Sequence, residues 1–300
     1  MHLQCTQSGL NISRDSVELM MQLLDPVGVE IRSKKRLKRR RYFARGPDFL
    51  WHLDSYDKLK KYGLCINGCI DGFSRQVIWL NAYTTSSNPR IIGGYYIEAI
   101  SKIKGCPSRV RGDHGTENGH VAAFQNFLSE RDTFIYGPST GNQRIESFWN
   151  ILRRQCCQVW IEKLGSLVDD GLFNGGLLDK SLIQYCCMSV LQKDLDDVMT
   201  TWNIHPIRPT KNQNCPHGKP MVMYMLPGTY ETRSYRIEVD QHKIDVCKRE
   251  CTFRKEKYCD EDIWELCEIY MTENALPSPT CLNSTIALYK TLRDLFHQDI

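Results

Sequence analysis

Three acids in separate sequence surroundings have the makings of one metal site. Asp54 closes the run Trp51-His-Leu-Asp, Asp113 follows Arg109-Val-Arg-Gly, and Glu146 lies within Gly141-Asn-Gln-Arg-Ile-Glu-Ser-Phe-Trp-Asn150. Three carboxylates brought together repel one another unless a cation sits between them. Oxygen donors suit a hard divalent ion such as Mg2+ or Mn2+, which takes one or two carboxylates and completes its shell with water and phosphate. A pair of such ions activates a nucleophile and stabilises the leaving oxygen in phosphoryl transfer. Taken singly, each acid has a plainer explanation. Glu146 in a first helical turn meets the helix dipole favourably, by roughly a few tenths of a kcal/mol, and that needs no function.

The elements that would position these acids follow from hydrophobic period. Residues 49–56 alternate, and 64–70 and 76–84 read as two further strands joined by the turn Asp71-Gly-Phe-Ser, which together predict an antiparallel meander. Pro89 opens a helix over 89–104 that Gly105 and Pro107 end. A short strand over 108–111 then delivers Asp113, a helix spans 120–129, and a strand covers 133–136. The next helix carries Glu146 beside an apolar stripe of Ile145, Phe148, Trp149 and Leu152. In that order Asp54 and Asp113 end two strands able to be neighbours, and the last helix can lay Glu146 across them. Asp57 and Glu117 are rivals for the first two positions. Asp71 reads first as a turn residue, because Asp-Gly is a turn signal.

Composition bounds the rest. Three hundred residues with a formal charge of +4 describe an ordinary globular chain whose affinity for nucleic acid must come from local clusters. One cluster exists at residues 32–41, where Lys34, Lys35, Arg36, Lys38, Arg39, Arg40 and Arg41 could bind phosphates or serve as a nuclear-import signal. Upstream, residues 10–24 carry a helical apolar face with Ser13 as N-cap, and Asp25-Pro-Val-Gly-Val breaks it. This resembles the second helix of a helix-turn-helix whose first helix lies upstream of Met1 or is missing; the alternative is an unattached amphipathic helix packing on the core. No run of about eighteen apolar residues suggests a membrane span, and the first residues lack a secretory pattern. The expectation is an intracellular, nuclear protein. Fourteen cysteines include the adjacent pairs Cys156-Cys157 and Cys186-Cys187 in apolar helical patterns, which favours reduced, buried thiols. A zinc site from Cys247, Cys251, Cys259 and Cys267 is a weaker expectation, since only the first pair has the usual close spacing.

Four segments, Trp51-His-Leu-Asp-Ser, Gly68-Cys-Ile-Asp-Gly-Phe-Ser-Arg, Ser108-Arg-Val-Arg-Gly-Asp-His-Gly and Asn142-Gln-Arg-Ile-Glu-Ser-Phe-Trp, resemble the catalytic core of retroviral-type integrases and DDE transposases. They are most similar to the integrase-core proteins that animal and fungal genomes carry as transposon relatives. Trp202-Asn-Ile-His-Pro-Ile-Arg resembles the segment that closes such cores. The resemblance implies an α/β, RNase H-like fold with a mixed five-stranded sheet flanked by helices, a helical N-terminal segment and a small C-terminal extension. It implies that Asp54, Asp113 and Glu146 are the catalytic, metal-binding acids, and that Asn142, Gln143 and Arg144 lie near DNA. His52 and Lys58 are candidates to approach phosphate.

The corresponding domain expectation is a partial helix-turn-helix and basic arm over 1–45, the integrase core over 46–218, and an extension over 219–300. Residues 235–246 there alternate like strands, while 263–270 and 288–296 read as helices. The implied activity is Mg2+- or Mn2+-dependent cleavage and transfer of DNA strands by a protein that forms homo-oligomers as its relatives do. The interval from Asp113 to Glu146 is slightly shorter than the retroviral one, and the His/Cys zinc module that precedes retroviral cores is not visible. A catalytically idle, host-recruited DNA- or protein-binding protein is therefore the alternative, with an RNase H-like nuclease as the third reading.

Overall fold

The computed structural model describes residues 1–34, 42–138, 141–209 and 215–298. Three helices come first: α1 (His2–Gln7), α2 (Arg14–Leu24) and α3 (Pro26–Lys34). Ser13 caps α2 by accepting from the Ser16 amide, as its position predicts. Two expectations are corrected. A helix does precede α2, and its Gln7 accepts a hydrogen bond from Thr201 at 2.7 Å. Asp25-Pro26 ends α2 but starts α3 at once, because proline at a first helical position forfeits no hydrogen bond. The basic residues Lys35, Arg36, Lys38, Arg39, Arg40 and Arg41, with the Lys34 side chain, lie outside the described residues.

The centre is a mixed sheet built from β1 (Trp51–Tyr56), β2 (Cys65–Asp71), β3 (Val77–Tyr83), β5 (Val110–Gly112) and β6 (Phe134–Tyr136), with β4 (Gly105–Cys106) standing outside it. Its order is β3-β2-β1-β5-β6. The first three strands form the expected antiparallel meander. β5 runs parallel to β1, and β6 parallel to β5. Such pairs need crossovers, which α4 (Pro89–Ile103) and α5 (Gly119–Ser129) provide. This is the five-stranded, helix-flanked sheet of an RNase H-like fold.

The strand period of two sorts side chains between two cores. Trp51 and Leu53 join Val110 and Phe134 beneath α4 and α5. Tyr56, Ile66 and Leu80 join the opposite core, against α6 (Gln143–Leu152), α7 (Gln158–Asp169) and α8 (Leu177–Ile204). A π-helical turn at Arg153–Cys157 joins α6 to α7. α8 runs for 28 residues, and its C-terminal Asn203 clamps β3, accepting from the Val77 amide at 2.9 Å and donating to the Val77 carbonyl at 3.1 Å.

The C-terminal residues are part of these cores. After α9 (Pro220–Met225), β7 (Ile237–Glu238) pairs with β4. α10 (Gln241–Arg249) follows, capped by Asp240, so the strand expectation over 235–246 holds only at β7 and its second half is helix. α10 contributes Ile244 and Cys247 to the α4–α5 core. α11 (Glu261–Glu273) and α12 (Leu282–Gln298) contribute Cys267, Tyr270, Tyr289 and Leu292 to the other. Cys247 and Cys267 thus sit in different cores on opposite faces of the sheet, which corrects the four-cysteine zinc expectation. All fourteen cysteines are free, and nine are buried. Among the described residues, no helix is long and apolar enough to cross a membrane.

Candidate active site

Because β1 and β5 are parallel neighbours, Asp54, which lies inside β1 rather than at its end, and Asp113, just past the end of β5, stand in matching register. Trp51 pairs with Val110 and His52 with Arg111; Asp54 lies two residues on from His52, as Asp113 does from Arg111. Asp54 shares the β1 face of His52 and Tyr56, which is the face α6 covers. Its cross-strand partner is Gly68. A Cβ at Gly68 would collide with the Trp149 ring, so the glycine lets that indole lie flat over β2. From there Trp149 Nε1 donates to Asp54 Oδ2 at 2.9 Å.

Glu146, one turn before Trp149, is the third acid. Burial raises its carboxyl above the ordinary range, the nearby Asp113 charge adds to the rise, and Lys58 opposes it. Burial likewise lifts Asp54 from 3.8 to about 6; Trp149 and the Ser55 amide oppose this, and the charges of Glu146 and Asp113 add to it. The charge of Asp113 therefore reaches both Asp54 and Glu146, and that of Glu146 reaches Asp54. Asp113 is held by its own loop: Oδ1 accepts from Asn118 Nδ2 at 2.7 Å and from the Gly115 amide at 3.2 Å.

The start of α6 is tied to β1 by a buried polar chain. Asn142 Nδ2 donates to the Leu53 carbonyl at 2.7 Å, which turns its Oδ1 toward His52 Nδ1, also at 2.7 Å. An amide oxygen only accepts, so Nδ1 carries the imidazole proton and Nε2 accepts from the Tyr42 hydroxyl at 2.8 Å. Burial holds the His52 imidazole neutral, at about 3, against the pull of Asn142 and with Arg111 and Arg144 adding to the depression. Arg144 lies 4.0 Å over the Tyr42 ring and donates to the Gly72 carbonyl at 3.0 Å. Arg111 donates to the Gly141 carbonyl at 3.0 Å.

These contacts redistribute the residues expected near DNA. His52 and Asn142 are buried and bonded internally, and so present no group to a phosphate. Arg144 is occupied by Tyr42 and Gly72. Gln143 is half-buried beside it, and Lys58 is exposed next to Glu146. Of the rivals, Glu117 is half-buried in the Asp113 loop, while Asp57 is exposed, accepting from Ser86 and pairing with Lys60. Asp71 is fully buried and accepts from the Asp48, Phe73 and Ser74 amides and the Ser74 hydroxyl. It organises its turn, as the Asp-Gly signal predicts. Trp149, Asn118 and Tyr42 are site-building residues that sequence reasoning missed, although Trp149 follows Glu146 by three, the spacing that puts both on one helix face.

The donor chemistry fits a hard divalent cation. The charges of Glu146 and Asp113 reach Asp54 from separate elements, and the Trp149 and Asn118 nitrogens occupy one oxygen each of Asp54 and Asp113. Among the described residues, no three His, Cys, Asp or Glu side chains form a group able to hold an ion as they stand. Magnesium needs only one or two protein carboxylates, the rest of its shell being water and phosphate.

Residues 42–225, more than half of the chain, match the integrase core domain family. The chain belongs to that family. Integrase core domains are generally divalent-metal dependent. Among solved structures the chain is similar to a protein of the simian T-cell lymphotropic virus intasome, determined by cryoEM in complex with the PP2A regulatory subunit B56 gamma. The TM-score is 0.40 and the identity 16%, over 65% of this chain and 61% of that one. This integrase core chain thus spans less than two thirds of that relative's length. No curated protein matches it.

Proposed function

We propose that this chain is a metal-dependent polynucleotidyl transferase of DNA, cutting and joining strands with Asp54, Asp113 and Glu146 as its acids. The observation that carries the reading is that three acids on separate elements act on one another: burial raises Asp54 and Glu146, the charges of Glu146 and Asp113 add to the rise of Asp54, and that of Asp113 adds to the rise of Glu146. Burial alone also raises Asp71, which organises a turn; what sets Asp54 and Glu146 apart is that charges of other acids on separate elements add to the rise.

Mg2+ or Mn2+ would be held by Asp54 and Asp113, with Glu146 completing the set, and when bound would neutralise charge on a phosphoryl group and lower the pKa of a nucleophilic water or hydroxyl. The chain's own residues supply position. Trp149 orients Asp54 through Oδ2, and Asn118 with Gly115 fixes Asp113 through Oδ1. Lys58, exposed beside Glu146, is placed to meet a phosphate, and the basic residues 34–41 would add salt-sensitive affinity along the DNA backbone. DNA as partner, nuclear location and assembly into a homo-oligomer belong to the same proposal.

Labelled duplex DNA incubated with the protein and Mn2+ or Mg2+ tests it. Strand transfer in the wild type, reduced at least about a hundredfold in Asp54→Asn and Glu146→Gln, is the expected result. Hydrolysis without joining would replace transferase by nuclease. DNA binding that survives in both variants with no cleavage in the wild type would leave a binding protein on an idle core.

A further inference from the structure

The two ends of the central sheet carry opposite chemistry. Asp54 and Asp113 lie toward the C-terminal ends of β1 and β5, whereas Phe49 and Arg109 lie just before these parallel strands begin. Phe49 precedes Asp54 by roughly 15 Å of chain. At that far end three stretches distant in sequence are stitched together. The Trp51 amide donates to the Arg109 carbonyl at 3.0 Å, and the Tyr235 amide to the Pro47 carbonyl at 2.8 Å. Thr232 Oγ1 donates to the Arg45 carbonyl at 2.7 Å, and Ser108 Oγ to the Tyr235 carbonyl at 2.6 Å. A Cβ at Gly46 would collide with the Arg233 carbonyl and the Tyr235 ring, so glycine lets the first and third stretches touch.

Three arginines stand on this platform. Arg45 and Arg109 lie 5.3 and 5.8 Å from the centroid of the Phe49 ring, and Arg233 lies 5.5 Å from that of Tyr235. The two rings meet edge to face at 5.5 Å, which gathers the guanidiniums on one surface. All three are exposed, and none forms an ion pair or side-chain hydrogen bond with another described residue, Glu231 nearby in sequence included. Elsewhere on the surface cations face carboxylates, as in Arg90 with Glu250, Lys257 with Glu265 and Lys60 with Asp57. The buried acid of this region, Asp48, accepts from Trp51, Tyr224 and Ser234 and takes none of the three arginines as a partner.

A guanidinium laid on a ring has less freedom to lose, is weakly hydrated and keeps its N–H edge for a bidentate anion such as a phosphate diester. Phe49 and Tyr235 are half-buried and already stacked against guanidiniums, so they leave little ring face for the unpaired bases that single-strand binders stack. Fixed cations with nothing to read a base suit the backbone of a duplex, held without regard to sequence. We propose that Arg45, Arg109 and Arg233 form a second DNA-binding surface, one that grips the phosphates of duplex DNA at the end of the sheet away from the acids. The inference rests on reading DNA as the partner, and it adds a hold on DNA outside the stretch that reacts.

The experiment titrates the full chain, without divalent metal, against a labelled duplex of random sequence and follows anisotropy between about 50 and about 200 mM salt. Replacing all three arginines by Gln should lower the slope of log Kd against log salt by about 2.7, at about 0.9 for each phosphate, so that about fortyfold of the wild-type change in Kd over this range disappears. Each single Gln variant should take about a third of that loss, which keeps the test valid if the triple variant folds poorly. Lys at all three positions keeps the charges and should keep the slope. A wild-type slope retained in the Gln variants would overturn the proposal, as would a larger loss for a single strand of the same length than for the duplex, or a wild type that binds no DNA. Arginine-dependent binding with no Mn2+-dependent cleavage by the wild type would support this surface and remove the transferase reading; cleavage with an unchanged slope would do the reverse.

Discussion

Replacing Asp54 by Asn should make the metal-free protein more stable at neutral pH, even though it removes a proposed metal ligand. Burial lifts the Asp54 carboxyl from 3.8 to about 6, with Glu146 and Asp113 adding to the rise. A raised carboxyl favours the folded state while it holds its proton. That contribution is complete below pH 3.8 and is lost as pH climbs through 6. At about 1.36 kcal/mol per pH unit, the ionised group therefore costs the folded state about 3 kcal/mol at about pH 7.5. Asn is neutral throughout and keeps an oxygen for Trp149 Nε1. Urea melts in EDTA should show the variant and wild type nearly equal near pH 4 and the variant ahead by roughly 2–3 kcal/mol at about pH 7.5. Mn2+ at about a hundred times its Kd should then close most of that gap, since it adds about 2.7 kcal/mol to the form that binds it. A variant no more stable than wild type at neutral pH, or a gain that does not shrink on acidification, would refute the electrostatic reasoning.

Trp149→Phe removes a donor that opposes the rise of the Asp54 carboxyl, so a carbon-13 titration of that side chain should place its midpoint above the wild-type value of about 6. Asn203→Ala leaves the Val77 amide and carbonyl at the start of β3 without their partner and should cost about 1–3 kcal/mol in chemical denaturation; a smaller loss would mean water takes over both bonds. Deleting residues 35–41 should flatten the salt dependence of DNA binding, by a slope of about 0.9 for each phosphate that the arm neutralises. An unchanged slope would show that the arm touches no phosphate.

The frame was legible in the sequence because strands half-buried on one face declare themselves by alternation. Trp51 and Leu53 against His52 and Asp54 is such a case, and the element order allowed the strands of Asp54 and Asp113 to be neighbours, while the full order of the sheet came from the structure. The acids were legible through their motifs more than their chemistry, since each alone has a structural explanation. What escaped was what depends on side chains meeting across the chain. His52 and Asn142 stand ninety positions apart, and both read as surface polar residues beside a loop until the fold buries them together. Helix α10 escaped for a different reason: its nine residues show apolar groups only at Ile244, Val246 and Cys247, and the spacing of two in Ile237 and Val239 and again in Ile244 and Val246 mimics a strand. The N-terminal helix α1 has no buried residue and so carries no amphipathic signal.

The packing of α12 also bears on how the protein is made. Tyr289 and Leu292 are fully buried in the same core as Ile66 of β2, Phe148 of α6 and Leu182 of α8. Synthesis runs from the N-terminus at about 5–20 residues per second, so the ribosome delivers all three acids well before the residues that complete the core behind Glu146. Until α12 emerges, a nascent chain presents that apolar face to solvent and to chaperones. A message truncated after the family-matched region would yield every acid of the site on a scaffold with one side open, prone to aggregation and proteolysis. Quality control of this chain is thereby coupled to its last helix, far in sequence from the chemistry it supports.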